Sequence, residues 1–247
     1  MKPVALVLLP LVAAAALASA ATAGERDRGP GLPGQRQGNA LVYAVRGFDA
    51  VSLGGSARMI VRAGPQFAVS AEGPAEAFAN FRVVQEGRTL KVGQRYEGRR
   101  WIPADAKLIV RVTLPALAAA SVGGSGSIDI DRAGGERFAG SVGGSGDLRI
   151  ARLDVRAADL SIGGSGGIAA TGRVGALDAK VGGSGSIDAA GLRADRASVA
   201  IGGSGSVRAA VAGPADVSVA GSGNVDLGPQ ARCRVSKAGS GRVRCGG

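Results

Sequence analysis

The chain has 247 residues and a formal net charge of +11, with 43 Gly, 10 Pro, 2 Cys and no His. The lack of histidine excludes Ser-His-Asp and Cys-His nucleophile pairs and His-ligated zinc, copper or iron, and two cysteines do not complete a Cys-ligated zinc or iron–sulfur site on one chain. Glycine exceeds its usual ~7% share, yet 45% of the residues are hydrophobic, so the chain is neither collagen nor simple disorder.

The chain opens on Met1-Lys2 and an apolar run from Val4 to Ala18 broken only by Pro10. Ala18-Ser19-Ala20 follows as a small-x-small site, with Ala21-Thr22-Ala23 as a second. This pattern predicts a secretory signal peptide over 1–20, cleaved after residue 20 or 23. Its apolar core is shorter than the ~20 residues that span a bilayer as a helix, and no later stretch is long and apolar enough, so no transmembrane segment is expected. The mature chain is expected in the periplasm, outside the cell or on its surface. Arginine supplies 25 of the 30 basic residues, which favours anionic partners such as lipopolysaccharide phosphates or acidic glycans. Export and the scarcity of aromatic residues argue against nucleic acid.

A linker is expected over 21–40, where GERDRGPGLPGQRQGN (24–39) is polar, Gly/Pro-rich and aperiodic. An N-terminal β region follows over 41–115, with strand-like runs at Leu41–Val45, Arg58–Arg62, Gln66–Ala71, Phe81–Gln85, Thr89–Val92 and Lys107–Leu114. Pro74 to Phe78 (PAEAF) reads as one helical turn with proline at its start.

From residue 116 to 247 the chain repeats itself. A Gly-Ser-Gly core recurs with its serine at Ser125, Ser145, Ser165, Ser184, Ser204, Ser222 and Ser240, at spacings of 20, 20, 19, 20, 18 and 18. A period near 20 with strand-like flanks is the signature of a solenoid. Three residues after each serine stand Ile128, Leu148, Ile168, Ile187, Val207, Val225 and Val243; three before stand Val122, Val142, Ile162, Val181, Ile201, Val219 and, out of pattern, Lys237. Five before, the column runs Ala120, Gly140, Leu160, Ala179, Val199, Val217 and Val235. Alternating apolar positions on both sides of the turn describe strands with one buried face. The prediction is an all-β, right-handed parallel β-helix with ~20-residue rungs and GSG turns; seven rungs would make a rod roughly 34 Å long. The glycines allow positive φ and close approach of neighbouring backbones, and the serines are structural turn residues.

An outward column four residues after each serine reads Asp129, Arg149, Ala169, Asp188, Arg208, Asp226 and Arg244, which predicts charge ladders of alternating sign between rungs. Cys233 is in register with Ala118, Phe138, Ala158, Leu177, Ala197 and Ala215, and Cys245 with Ile130, Ile150, Ala170, Ala189, Ala209 and Leu227. Both cysteines thus occupy inward columns of the last rung, which in an exported chain predicts a Cys233–Cys245 disulfide; a pair of buried thiols is the alternative.

The runs Val42–Val51 (VYAVRGFDAV), Glu86–Val92 (EGRTLKV) and Val110–Pro115 (VRVTLP), leading into repeated GSG turns, resemble the bacterial head GIN domain family of autotransporter-type adhesins. The resemblance covers about residues 41 to 247. It implies a two-sheeted parallel β-helix related in shape to pectin lyases without their catalytic residues, and adhesion at the cell envelope. It carries no functional residue over.

Chemical motifs are sparse. Gly123–Asp131 (GGSGSIDID) evokes a calcium nonapeptide, but the period is about 20 and GGSGGIAA (163–170) holds no acid. Gly163-Gly164-Ser165-Gly166-Gly167 matches a nucleophile elbow without a histidine base; Ser-Lys chemistry with Lys180 is conceivable, but one serine among seven equivalent turn serines has no distinguishing context. Asp147 and Asp154 beside Arg149 and Arg152 form the nearest approach to a lyase cluster. No catalytic residue, metal or cofactor is expected. Arg99, Arg100 and Trp101, within RYEGRRWIP (95–103), join the single tryptophan to arginines and are the candidate ligand-binding residues; Trp101 capping the core is the structural alternative. After Asp226 come Arg232, Arg234, Lys237, Arg242 and Arg244 with no acid among them, a docking end or a protected edge. The expected function is non-enzymatic adhesion or binding of an anionic glycan or lipopolysaccharide. A polysaccharide-cleaving enzyme and a self-assembling structural protein are the rival classes, the latter through a homo-oligomer.

Overall fold

The computed structural model describes residues 31–94 and 108–246. The chain runs β1 (Gln35–Gln37), β2 (Ala40–Tyr43), β3 (Ala50–Leu53), β4 (Arg58–Ala63), β5 (Ala68–Glu72), a 3₁₀ turn (Ala75–Phe78), β6 (Phe81–Glu86), β7 (Thr89–Gln94) and β8 (Ile109–Leu114). It continues through β9 (Ala119–Val122), β10 (Ser127–Ile130), β11 (Ala133–Val142), β12 (Asp147–Ile162), β13 (Gly167–Gly183), β14 (Ser186–Gly203), β15 (Ser206–Val211), β16 (Pro214–Gly221), β17 (Asn224–Asp226), β18 (Arg232–Ala238) and β19 (Arg242–Arg244). The fold is a β-solenoid. The expected strand runs appear within one to three residues, and Pro74 caps the 3₁₀ turn from outside it.

The repeats stack as their spacing requires. Ser127 to Ile130 pairs in parallel with Asp147 to Ile150, and Gly140 to Val142 with Leu160 to Ile162. The rungs pair along three stretches, such as 147–150, 153–155 and 157–162, with a register shift between Ile150 and Leu153. The two-sheeted section implied by the resemblance therefore gains a short third side. The 18-residue spacings arise there: between β14 and β15 the register jumps from Ala189↔Ala209 to Arg193↔Ala210, and the third side shrinks.

The inward columns are buried: Ile128, Leu148, Ile168, Ile187, Val207 and Val225 on one side of the turn, Val122, Val142, Ile162, Val181, Ile201 and Val219 on the other. Each fully buried Leu, Ile or Val contributes about 1.5–3 kcal/mol. The gap at Gly140 is filled by its neighbours: a Cβ there would lie 2.9 Å from Leu148, 3.0 Å from Leu160 and 3.3 Å from Phe138, the single aromatic of the repeats. Ala118 departs from the expected inward column. It is exposed, and Leu117 fills the interior as the chain arrives from β8.

The turns stack directly. Ser145 N–H donates to Gly124 O, Ser165 N–H to Gly144 O, Ser184 N–H to Gly164 O and Ser204 N–H to Gly183 O. Close approach governs both glycines that flank the serine: a Cβ on Gly144 would lie 2.4 Å from Gly124 O, and one on Gly166 2.2 Å from Gly146 O. The glycine one place earlier is free of this constraint. A Cβ on Gly163 meets nothing within 4 Å, and the last two turns carry Ala220 and Ala238 there.

The first rung in space is not the first in sequence. β3 and β4 lie between β7–β8 below and β9–β10 above, all in parallel. Their connection, Gly54-Gly55-Ser56-Ala57, is an eighth copy of the turn, and Ser125 N–H donates to Gly55 O. Antiparallel β5 covers the outer edge of β8, and β6 that of β7. Outside β5 lie β2 and then β1, so Gln35–Gln37 of the expected linker is paired. At the other end, β18 and β19 pair only with β16 and β17 among the described residues. Cys233 and Cys245 form a disulfide with Cα atoms 6.2 Å apart.

Candidate functional site

A solenoid with a solid interior presents its chemistry on its outer faces. Arg99, Arg100 and Trp101 lie outside the described residues. The seven turn serines form an exposed row along the rod. Ser165 stands in this row like its neighbours, and Lys180 is held by Asp178 at 2.6 Å.

The carboxylates singled out for cleavage chemistry are tied up. Asp147 accepts from Arg149 at 2.9 Å, and Asp154 from Arg152 at 2.5 Å. The hydrogen bond from Arg152 to Asp154, and then the charge of Asp154, raise the Arg152 guanidinium above its ordinary range; Asp49 does the same for Arg88. No group of three or more Cys, Asp or Glu among the described residues is placed to hold a metal.

The charge column is realised in part. Asp129 pairs with Arg58 at 2.8 Å and with Arg149 at 3.9 Å, and Asp226 with Arg244 at 3.7 Å. Arg208 stands in register between Asp188 and Asp226 without a contact to either within 4 Å. The basic last rung meets acids from the rung before it: besides Arg244, Arg234 reaches Asp216 at 3.4 Å.

The third side of the rungs gathers an arginine cluster that the repeat columns had not isolated. Arg173 lies directly opposite Arg193, and Arg196 follows on the next corner. All three are exposed, with no carboxylate within 4 Å. Arg156, Arg173 and Arg196 line a shallow concavity of about 540 Å³ together with Asp154, Asp195 and Gly175. Gly175 packs closely on the neighbouring rung, since a Cβ there would lie 2.8 Å from Arg156 O. Arg156 is engaged by Glu136 at 3.3 Å, whereas Asp195 has no cation within 4 Å. The arrangement offers exposed cationic forks beside a carboxylate with no ion-pair partner.

Among curated proteins none matches the chain. Solved structures do. A "putative adhesin" from Bacteroides fragilis superposes with a TM-score of 0.74 at 19% identity, covering 87% of this chain and 100% of its own. A "putative lipid binding protein" from Parabacteroides distasonis gives 0.65 at 21% identity, covering 87% and 98%. A "putative adhesin" from Parabacteroides merdae gives 0.62 at 16%, covering 88% and 99%. At these identities the likeness establishes the fold. The sequence profile described as "Putative auto-transporter adhesin, head GIN domain" matches residues 47–247. The GSG-turned rungs and the β3–β4 rung that precedes them both lie inside that match, and the chain belongs to the head GIN domain family.

Proposed function

We propose that the protein is an exported, non-enzymatic adhesin of the bacterial envelope that binds anionic surface polymers, acidic glycan or lipopolysaccharide, through its arginines. The observation that carries this reading is the cluster of Arg173, Arg193 and Arg196, three exposed guanidinium groups on neighbouring rungs with no carboxylate partner within 4 Å. Guanidinium forks suit bidentate contact with carboxylate, sulfate or phosphate. Family membership supports adhesion, and the signal-like N-terminus supports export to the periplasm or cell surface. The engagement of Asp147 and Asp154 by arginines speaks for binding over cleavage. No helix among the described residues is long and apolar enough to cross a membrane.

The test is binding of purified mature protein to acidic glycans and lipopolysaccharide across salt concentrations, with analysis for cleavage products. Binding that falls steeply between low and ~0.15 M salt, with the polymer intact, is expected. Salt-independent binding overturns the electrostatic reading, and released oligosaccharide overturns the non-enzymatic one.

A further inference from the structure

Like charges seldom face each other across this ladder. Among the described register pairs they do so at Asp159↔Asp178 and at Arg173↔Arg193. The acids each have a cation of their own, Arg137 for Asp159 at 3.1 Å and Lys180 for Asp178 at 2.6 Å. The two arginines have none. Like charges directly opposed on neighbouring strands destabilise a sheet. Arg173 also faces Asp154 on its other neighbour, but that carboxylate is held by Arg152. The guanidinium groups of Arg173 and Arg193 are left without an ion pair, a local rule broken as at functional places.

We propose that Arg173, Arg193 and Arg196, with Asp195 beside them, form a binding site for an acidic polysaccharide chain lying along the rod axis across successive rungs. The assignment rests on the adhesive reading above and specifies its ligand. Arg173 and Arg193 sit on adjacent strands about 4.8 Å apart, so a chain crossing these two rungs meets two forks in succession, between Asp154 on one side and Ala210 on the other. Gly175 contributes no side chain to the floor of the concavity, which is left open to a linear polymer. Asp195 decides between ligand classes. A polymer that offers only anionic groups would be repelled by this carboxylate, whereas a sugar chain offers hydroxyl donors next to its acidic groups, and the carboxylate accepts them.

The experiment measures the affinity of the mature chain for polygalacturonate, monomeric galacturonate and polyphosphate at low salt. It compares wild type, Arg173→Gln/Arg193→Gln, Asp195→Ala and the control Arg232→Gln/Arg242→Gln, which removes the same charge from the last rung. All substituted side chains are exposed, and unchanged thermal midpoints confirm folding. The Arg173/Arg193 pair is expected to weaken polygalacturonate binding by at least about tenfold and the control by less than about twofold. Asp195→Ala is expected to weaken polygalacturonate and strengthen polyphosphate. Equal losses in the two arginine pairs overturn the site and leave diffuse adhesion standing, as does monomer bound as tightly as polymer. Strengthening of both polymers by Asp195→Ala overturns the polysaccharide assignment. Wild-type protein that binds no anionic polymer at low salt overturns the adhesive reading itself.

Discussion

The two ends of the solenoid are finished by different physics. At the N-terminal end the strands reverse direction: β5 and β6 run antiparallel against β8 and β7 and cover their outer edges. The aromatic residues concentrate there, with Phe48 against Phe67 at 5.1 Å, Phe78 against Phe81 at 5.9 Å and Tyr43 against Phe81 at 6.4 Å between ring centres. The last rung has no such cover among the described residues. Val235 is 47% exposed, and the rung is held by one covalent bond between its two sides. A stack of parallel rungs does not protect its own terminal edge. One end is sealed by side-chain volume and the other is tied by a crosslink, and the two respond to different perturbations.

The largest effect is expected at the packed end. Phe48→Ala removes a ring that is 2% exposed and should lower stability by about 3–5 kcal/mol, read as a shift in the urea midpoint. A loss below about 1 kcal/mol would mean that volume does not seal this end. Reduction of the disulfide, or Cys233→Ser with Cys245→Ser, should follow with about 3 kcal/mol. Its signature is local: amide exchange should accelerate in β18 and β19 while β11 to β14 keep their protection. Acceleration along the whole rod would erase the distinction between the ends.

The smallest effect separates them by pH. Burial raises the Tyr43 phenol above its usual value of 10.0. The unfolded chain therefore gives up this proton first, and stability that is complete below pH ~10 is lost as the pH rises through the folded-state value. Thermal unfolding at pH 9 and pH 11 should show a larger alkaline loss in wild type than in Tyr43→Phe. Equal losses would place the alkaline weakness elsewhere.

The repeat region was legible because its period survives in one dimension. Ile128 and Leu148 align in space as they align by counting, and the same counting brings Cys233 to Cys245. The eighth turn, Gly54-Gly55-Ser56-Ala57, escaped because β5 to β8 separate it by 69 residues in sequence from the turn that lies directly above it in space, and because Ala57 replaces the second glycine of the core. The arginine cluster escaped for a subtler reason. Arg173 follows its turn serine by eight residues and Arg193 by nine, and the register break between Ala169 and Gly172 brings them level. Counting from the turns places them in different columns. A signal was available in the spacing of 20 between them, which matches the rung period. Arg99, Arg100 and Trp101 lie in a segment with no repeat to set their register.

The glycines of the turns have one further consequence. Gly144, Gly164 and Gly183 are each fitted against the carbonyl of the counterpart one rung below, and the same fit recurs at the first and last turns, Gly124 on Gly55 and Gly239 on Gly221. A whole copy of the unit can thus be inserted or deleted inside the array by gene duplication or loss, changing the reach of the molecule by about 4.8 Å per copy while both ends stay as they are. Length becomes a trait that evolution can adjust independently of chemistry, in the way a ladder is extended by adding steps of one pattern.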